Sequence, residues 1–153
     1  MRPQLDLQPV AGTDGELLAA LQAANLPTDD LTESGRSFFQ LSDQGRKVGF
    51  GGLEIYGQHA LLRSVVVVPE HRGRGNGAAV TNLVLGQAIG HGVRTVYLLT
   101  ESATSFFEHL GFARIDRAAA PAAILQTRQA ASLCPASAAL LAKTIIEWID
   151  VYV

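Results

Sequence analysis

The stretch that most constrains the fold is "LLRSVVVVPEHRGRGNGAAVTNLVLGQAIG", Leu61 to Gly90. Four consecutive valines fit a strand buried on both faces, because β-branched side chains pack well on a pleated surface. A proline and a charged run end that strand. Glycines 73, 75 and 77 then alternate with Arg74 and Asn76. A helical pattern begins at once, from about Gly77 to Ile89, with Val80, Leu83, Val84 and Ala88 predicted on one face. A strand handed to a helix through so bare a backbone points to an α/β layer architecture.

The rest of the chain agrees with that class. "LDLQPV" alternates and reads as a strand. Thr13 and Glu16 have capping-box spacing, with Leu17, Leu18 and Leu21 on one helical face, and Asn25 to Pro27 ends the helix. "TDDLTES" is expected to form a short second helix. "FFQLSDQGRKVGFGGLEIYGQHALLRSVVVV" reads as three antiparallel strands with tight turns at Asp43 to Arg46 and Gly57-Gln58. Beyond the loop helix, "TVYLLTE" is a buried strand and "SATSFFEHLGF" a short helix stopped by Gly111. "FARIDR" is a sixth strand, followed by a polar, alanine-rich connection and a seventh strand, "SAALLAKTI". The expectation is a mixed, mostly antiparallel central sheet of about seven strands with helices on both faces.

Composition narrows the function classes. With 153 residues, one domain spanning residues 1–153 is expected. Apolar residues at 48% and charged residues at 17% argue against disorder. A net charge of -2 is too small to draw the chain to nucleic acid or to an anionic membrane. One cysteine, Cys134, excludes an internal disulfide, and a reducing, cytoplasmic setting is expected. "MRPQLDLQPV" lacks the apolar core of a signal peptide, and no apolar run is long enough to span a bilayer. The four histidines show no metal spacing.

The glycine loop admits three interpretations. A Walker loop would need Gly-Lys-Ser/Thr, but Ala78 follows Gly77. Gly73, Gly75 and Ala78 formally match a dinucleotide fingerprint, and Glu101 ends the next strand. That fold, however, turns straight from strand to glycine, whereas "PEHR" intervenes here. In the third interpretation the loop is a pyrophosphate cradle. Backbone N–H groups converge because no side chain blocks them, and the helix start adds its unpaired amides and dipole. Arg72 and Arg74 add charge.

These residues also resemble a family. "VVVVPEHRGRGNGAAV" is similar to the acetyl-CoA signature Q/R-x-x-G-x-G/A of the GNAT superfamily of N-acetyltransferases, on Arg72, Gly75 and Gly77. "SATSFFEHLGF" resembles a later motif of the same family, and the element order matches from about Leu5 to Ile145. The resemblance implies acetyl-CoA as cosubstrate and a sheet whose central strands splay to admit it. Val65, Val66 and Val67 would offer backbone groups to the pantetheine arm. The amides of Gly73, Arg74, Gly75, Asn76, Gly77 and Ala78 would hold the pyrophosphate beside Arg72, with Thr100 and Phe107 as further cofactor contacts. A narrower resemblance, through "LLRS", "YLLT", "FFEHLGF", "IDR" and "LCPASA", is to the short acetyltransferases encoded with arsenic-resistance genes. It extends to the acetyltransferase part of N-acetylglutamate synthases.

Acetyl transfer needs a free amine close to the thioester, donors for the oxyanion, and a departing thiolate. If Gly57-Gln58 is a two-residue turn, Gly52 faces Arg63 and Glu54 faces Leu61, so Glu54 and Arg63 share a face as diagonal neighbours. The resembled family often uses a carboxylate at this place on the third strand as its base, commonly through water, so the resemblance makes Glu54 the candidate base, against the alternative of a plain ion pair. Arg63 is the candidate grip for a substrate carboxylate, because its fork suits planar oxyanions, and Arg36 is a second candidate. Many family members place a tyrosine where this chain has Phe107, and an asparagine where it has Thr100. Tyr97, Ser105, Cys134 or water is left to protonate the thiolate. A small, amino-acid-like amine is the expected acceptor. A catalytically silent acyl-CoA-binding module is the alternative. The tail "TIIEWIDVYV", with Trp148 and Tyr152, reads as packing or as a subunit contact, which leaves a homodimer open.

Overall fold

In the computed structural model, which describes residues 5–145, a seven-stranded sheet has the order β1-β2-β3-β4-β5-β7-β6. The strands are β1 (Leu5–Val10), β2 (Arg36–Asp43), β3 (Arg46–Tyr56), β4 (His59–Val67), β5 (Thr95–Thr100), β6 (Ala113–Arg114) and β7 (Ala139–Thr144). The longer helices are α1 (Gly15–Ala23) and α2 (Asn76–Gly90), with shorter turns α3 (Thr104–His109) and α4 (Ala122–Leu125). β1 and β2, β2 and β3, β5 and β7, and β6 and β7 pair antiparallel. β4 and β5 run parallel from His59 opposite Thr95 to Leu61 opposite Tyr97. No helix among the described residues is long and apolar enough to cross a membrane.

The chain divides into two compact units, Met1–Glu54 with Leu62–Val84 and Ile55–Leu61 with Leu85–Val153. In the first, Leu17 and Leu21 of α1 pack with Leu31, Phe38, Phe50 and Val66. The opposite face of β3 carries Gly49 and Gly51, and a Cβ at Gly51 would lie 3.0 Å from both Val80 and Val84 of α2. Bare backbone thus lets α2 lie directly on the strand. In the second unit, Leu61, Tyr97, Leu140 and Ile124 of α4 form a separate core.

Local chemistry explains the element ends. The α1 N-cap is Asp14, not Thr13: its carboxylate accepts the Leu17 N–H at 2.9 Å. Asn25 takes φ 57° and ends the helix, with Leu26 N–H donating to the Leu21 carbonyl, a Schellman closure. Gln44 and Gly45 both have positive φ, as the β2–β3 hairpin requires, and Gly57 makes the turn into β4. Gly111, at φ 95°, stops α3.

Four expectations need correction. "TDDLTES" forms turns rather than a helix, because Asp30 is drawn into an ion cluster instead of continuing a helical face. Leu83 is exposed, and Thr81 and Leu85 are buried beside Val80, Val84 and Ala88. The sixth strand shrinks to Ala113–Arg114. The alanine-rich connection holds α4 and a π-turn at Gln129–Leu133. Trp148 and Tyr152 lie outside the described residues.

Candidate functional site

Strand β4 carries two groups of interest, Arg63 at its middle and the glycine loop just beyond its end. Arg63 is buried, and its guanidinium stacks over the Phe38 ring at 5.5 Å. Its Nη1 donates to Glu54 Oε2 at 2.9 Å and to Asp30 Oδ2 at 2.6 Å, and its Nη2 donates to Asp30 Oδ1 at 2.7 Å. Glu54 and Asp30 are both fully buried. Arg36, opposite Glu54 in the β2–β3 ladder, donates from Nε and Nη2 to Asp30 Oδ2 and lies 4.0 Å from Glu54 Oε1. Asp30, Glu54 and two guanidiniums therefore form a buried ion cluster, and the more exposed Glu33 adds a third carboxylate 3.6 Å from Arg36 Nη2.

The sequence-level alternation puts Glu54 and Arg63 on one face, and the structure joins them. Asp30 is the residue that the sequence did not reveal. It lies 24 positions before Glu54 in a segment that carried no pattern, and only the folded chain brings it to Arg63. Burial pushes the Asp30 carboxyl up, but hydrogen bonds and charge from Arg63 and Arg36 together hold it below the ordinary value. Burial opposes the charge of Arg63 in the same way, and Asp30 and Glu54 outweigh it, so its pKa is raised.

The glycine loop alternates left-handed and ordinary backbone. Gly73 and Gly75 both take φ 77°, while Arg74 between them does not lie in the left-handed region. Backbone that alternates in this way is the kind in which successive N–H groups can converge on an anion. The Gly75 carbonyl accepts the Ala79 N–H at 3.1 Å, which makes Gly75 the first cap of α2. The N–H groups of Gly73, Arg74, Gly75, Asn76, Gly77 and Ala78 have no protein acceptor among the described residues. Asn76 Nδ2 donates to the His71 carbonyl at 2.9 Å and fixes the loop to the helix start. Arg72 Nε donates to the Val67 carbonyl at 3.0 Å, which holds its guanidinium against the strand end.

A groove of about 290 Å³ runs beside β4 from Val66 through Val67 and Val68 to Arg72, walled by Ala19, Ala20 and Ala23 of α1 and floored by Phe50. Glu16 and Lys47 form an exposed ion pair on its rim.

The remaining candidates lie in the second unit. Thr100 Oγ1 accepts the Ala103 N–H at 2.9 Å and so shapes the start of α3. Phe107 is buried, edge-on to Phe106 and Phe112. Tyr97 is buried too, and burial raises its pKa.

The described geometry, a mostly antiparallel sheet whose fourth strand runs through an amide-lined loop into a helix, has counterparts among known proteins. The family described as Acetyltransferase (GNAT) family matches residues 9–112. N-acetylglutamate synthase from Neisseria gonorrhoeae, solved with coenzyme A and L-arginine, superposes with a TM-score of 0.75 at 14% identity over 94% of this chain. The chain spans only 34% of that protein's length. The same synthase with coenzyme A and N-acetyl-glutamate gives a TM-score of 0.77. An acetyltransferase of the GNAT family from Staphylococcus aureus gives 0.67 at 18% identity, over 93% of this chain and 99% of its own. Tetrahymena GCN5 gives 0.71 at 15% identity, over 96% of this chain and 99% of its own. At these identities the structural likeness establishes the fold. A comparison with curated proteins gives no match. The family match covers more than half of the sequence, and the chain belongs to the GNAT family of acetyltransferases, which use acetyl-CoA as cosubstrate.

Proposed function

We propose that the protein transfers acetyl from acetyl-CoA to the amine of a small, amino-acid-like acceptor in the cytoplasm. One observation carries this reading. A row of loop amides with no protein acceptor among the described residues follows the end of β4, and a buried carboxylate held by Arg63 lies beside the middle of the same strand. The amides of Gly73 to Ala78, with Arg72 and Arg74, fit a pyrophosphate, since anions settle on unpaired N–H groups at a helix start. The groove lined by Val66, Val67 and Val68 gives the pantetheine arm an apolar path along the end of β4, and Val65 is the next residue up the strand. CoA, when bound, supplies the activated acetyl group. The protein's residues position it and deal with protons and charge.

Glu54 takes the proton that the amine must lose, directly or through one water. Its contacts with Arg63 and Arg36 fix the carboxylate in place. Arg63 has one Nη2 hydrogen with no acceptor among the described residues, and Arg36 is the more accessible of the two arginines. Together they offer the positive end for an acceptor carboxylate. The synthase complex with N-acetyl-glutamate supports this acceptor class, as do the "LLRS" and "LCPASA" resemblances.

The test is Glu54→Gln. We expect turnover to fall by about a hundredfold or more near neutral pH, with CoA affinity retained in calorimetry and the deficit narrowing at high pH. A wild-type rate would remove Glu54 from the chemistry. A second reading, a silent acyl-CoA-binding module, draws on the hydroxyl-free Phe107 packed between two aromatic rings. It predicts CoA binding with no release of free thiol from acetyl-CoA across a panel of amino acids and other amines.

A further inference from the structure

Three non-glycine residues among those described have positive φ: Asn25, Gln44 and Ser64. Asn25 ends a helix and Gln44 sits in a tight turn. Ser64, at φ 59°, lies inside strand β4, where no turn requires it. An L-residue held there in a strand interior is an outlier of the kind that surrounding structure imposes for a reason.

The consequence is visible in the side chains. Arg63 packs on Phe38 and Gly52, on the α1 face, and Val66 belongs to the α1-side core. Val65 comes near Gly51, on the α2 face. Regular alternation would put Arg63 and Val66 on opposite faces. The turn at Ser64 restores them to the same one, as a bulge does.

Ser64 is also buried, at 7% exposure. Its Oγ accepts a hydrogen bond from Arg63 Nε at 3.1 Å. A hydroxyl has one proton to donate, and the Ser64 O–H has no acceptor among the described residues. A buried hydroxyl with its acceptor side filled by a guanidinium still has its proton to donate to a ligand. Donation from Arg63 polarises the O–H and makes it the stronger donor.

Resting on the acetyl-transfer reading, we propose that the Ser64 hydroxyl is the hydrogen-bond donor to the CoA sulfur as it leaves. An arm anchored at the glycine loop and laid back along Val67 to Val65 brings its far end to Ser64, about 10 Å up the strand from Val67. In the step, the amine nitrogen forms its bond to the thioester carbon, and the nitrogen's proton goes to Glu54. The C–S bond breaks with its electron pair on sulfur. Ser64 keeps its proton throughout, because an alkoxide is far more basic than a thiolate. It lowers the energy of the sulfur anion by a charge-assisted hydrogen bond, and the thiolate takes a proton from solvent after release.

The experiment reads the ionisation of bound CoA. Thiolate ultraviolet absorbance is titrated for CoA on the wild type, Ser64→Ala and Ser64→Gly, each corrected by the ligand-free protein so that Cys134 cancels. The thiol on the wild type should titrate about one unit lower than on either variant, a tenfold difference in ionisation constant. kcat should fall about tenfold with the KM for acetyl-CoA nearly unchanged. Ser64→Gly relieves the left-handed strain, so a folded variant is available even if Ser64→Ala is unstable. Equal titration on all three proteins overturns the assignment while leaving acetyl transfer standing. Failure of CoA to bind the wild type overturns both.

Discussion

At the scale of single residues, the buried ion cluster sets the behaviour of the fold toward acid. Asp30 has a lowered pKa when folded, so the stability it contributes is present above the unfolded carboxyl value, about 3.9. It is lost as pH falls through the folded value. Asp30→Asn keeps the shape and one acceptor but leaves Arg63 and Arg36 short of a charge. Breaking a buried ion pair from one side typically costs about 3–5 kcal/mol. We expect denaturant unfolding near neutral pH to show a loss of that order. The gap between variant and wild type should begin to narrow as pH drops below about 4, where the unfolded carboxyl takes up its proton, and should close only as pH falls through the lower folded value of Asp30. A gap that stays constant with pH would mean that the Asp30 charge contributes nothing and that only its packing matters. Asp30 also pins the segment before β2, which is already close against Gly12: a Cβ there would lie 2.0 Å from the Leu31 carbonyl oxygen.

At the scale of elements, contact between α2 and the sheet is governed by absent side chains. Gly51→Ala would place a methyl 3.0 Å from Val80 Cγ1 and Val84 Cγ2. Overpacking of this kind costs about 1–3 kcal/mol. The denaturant midpoint should fall accordingly, and adding Val80→Ala should restore part of it, since the two sites share one volume. A Gly51→Ala variant as stable as wild type would show that α2 slides freely on β3. The same elements show what the sequence could reveal. Alternation placed Glu54 with Arg63, and the glycine spacing located the amide-lined loop, because both are set by local periodicity. Asp30 could not be found that way, for its role depends on a turn that folds back onto β4 from far along the chain. Nor could the left-handed Ser64 inside β4, since a serine inside an apolar run carries no mark of positive φ. The helical turns between Arg117 and Leu133 were obscured by an alanine-rich composition with no clear apolar face.

At the scale of the whole molecule, the two compact units are divided within elements. The boundaries fall inside β3 at Glu54/Ile55, inside β4 at Leu61/Leu62, and inside α2 at Val84/Leu85. A strand or helix divided within its length cannot keep its whole hydrogen-bond ladder if only one part unfolds, so we propose that the chain is one thermodynamic domain. Calorimetry should then show a single transition with matching calorimetric and van't Hoff enthalpies. CoA at a hundred times its dissociation constant should stabilise the folded state by about 2.7 kcal/mol. For a chain of this size that moves the midpoint by roughly 5–11 °C, taking about 2–4 °C per kcal/mol. NAD at the same concentration should leave the midpoint in place if the loop binds a CoA pyrophosphate, and should raise it equally if the loop is a dinucleotide fingerprint. Two transitions, with CoA shifting only one, would mean that each unit folds by itself and that the unit carrying the glycine loop binds the cofactor alone.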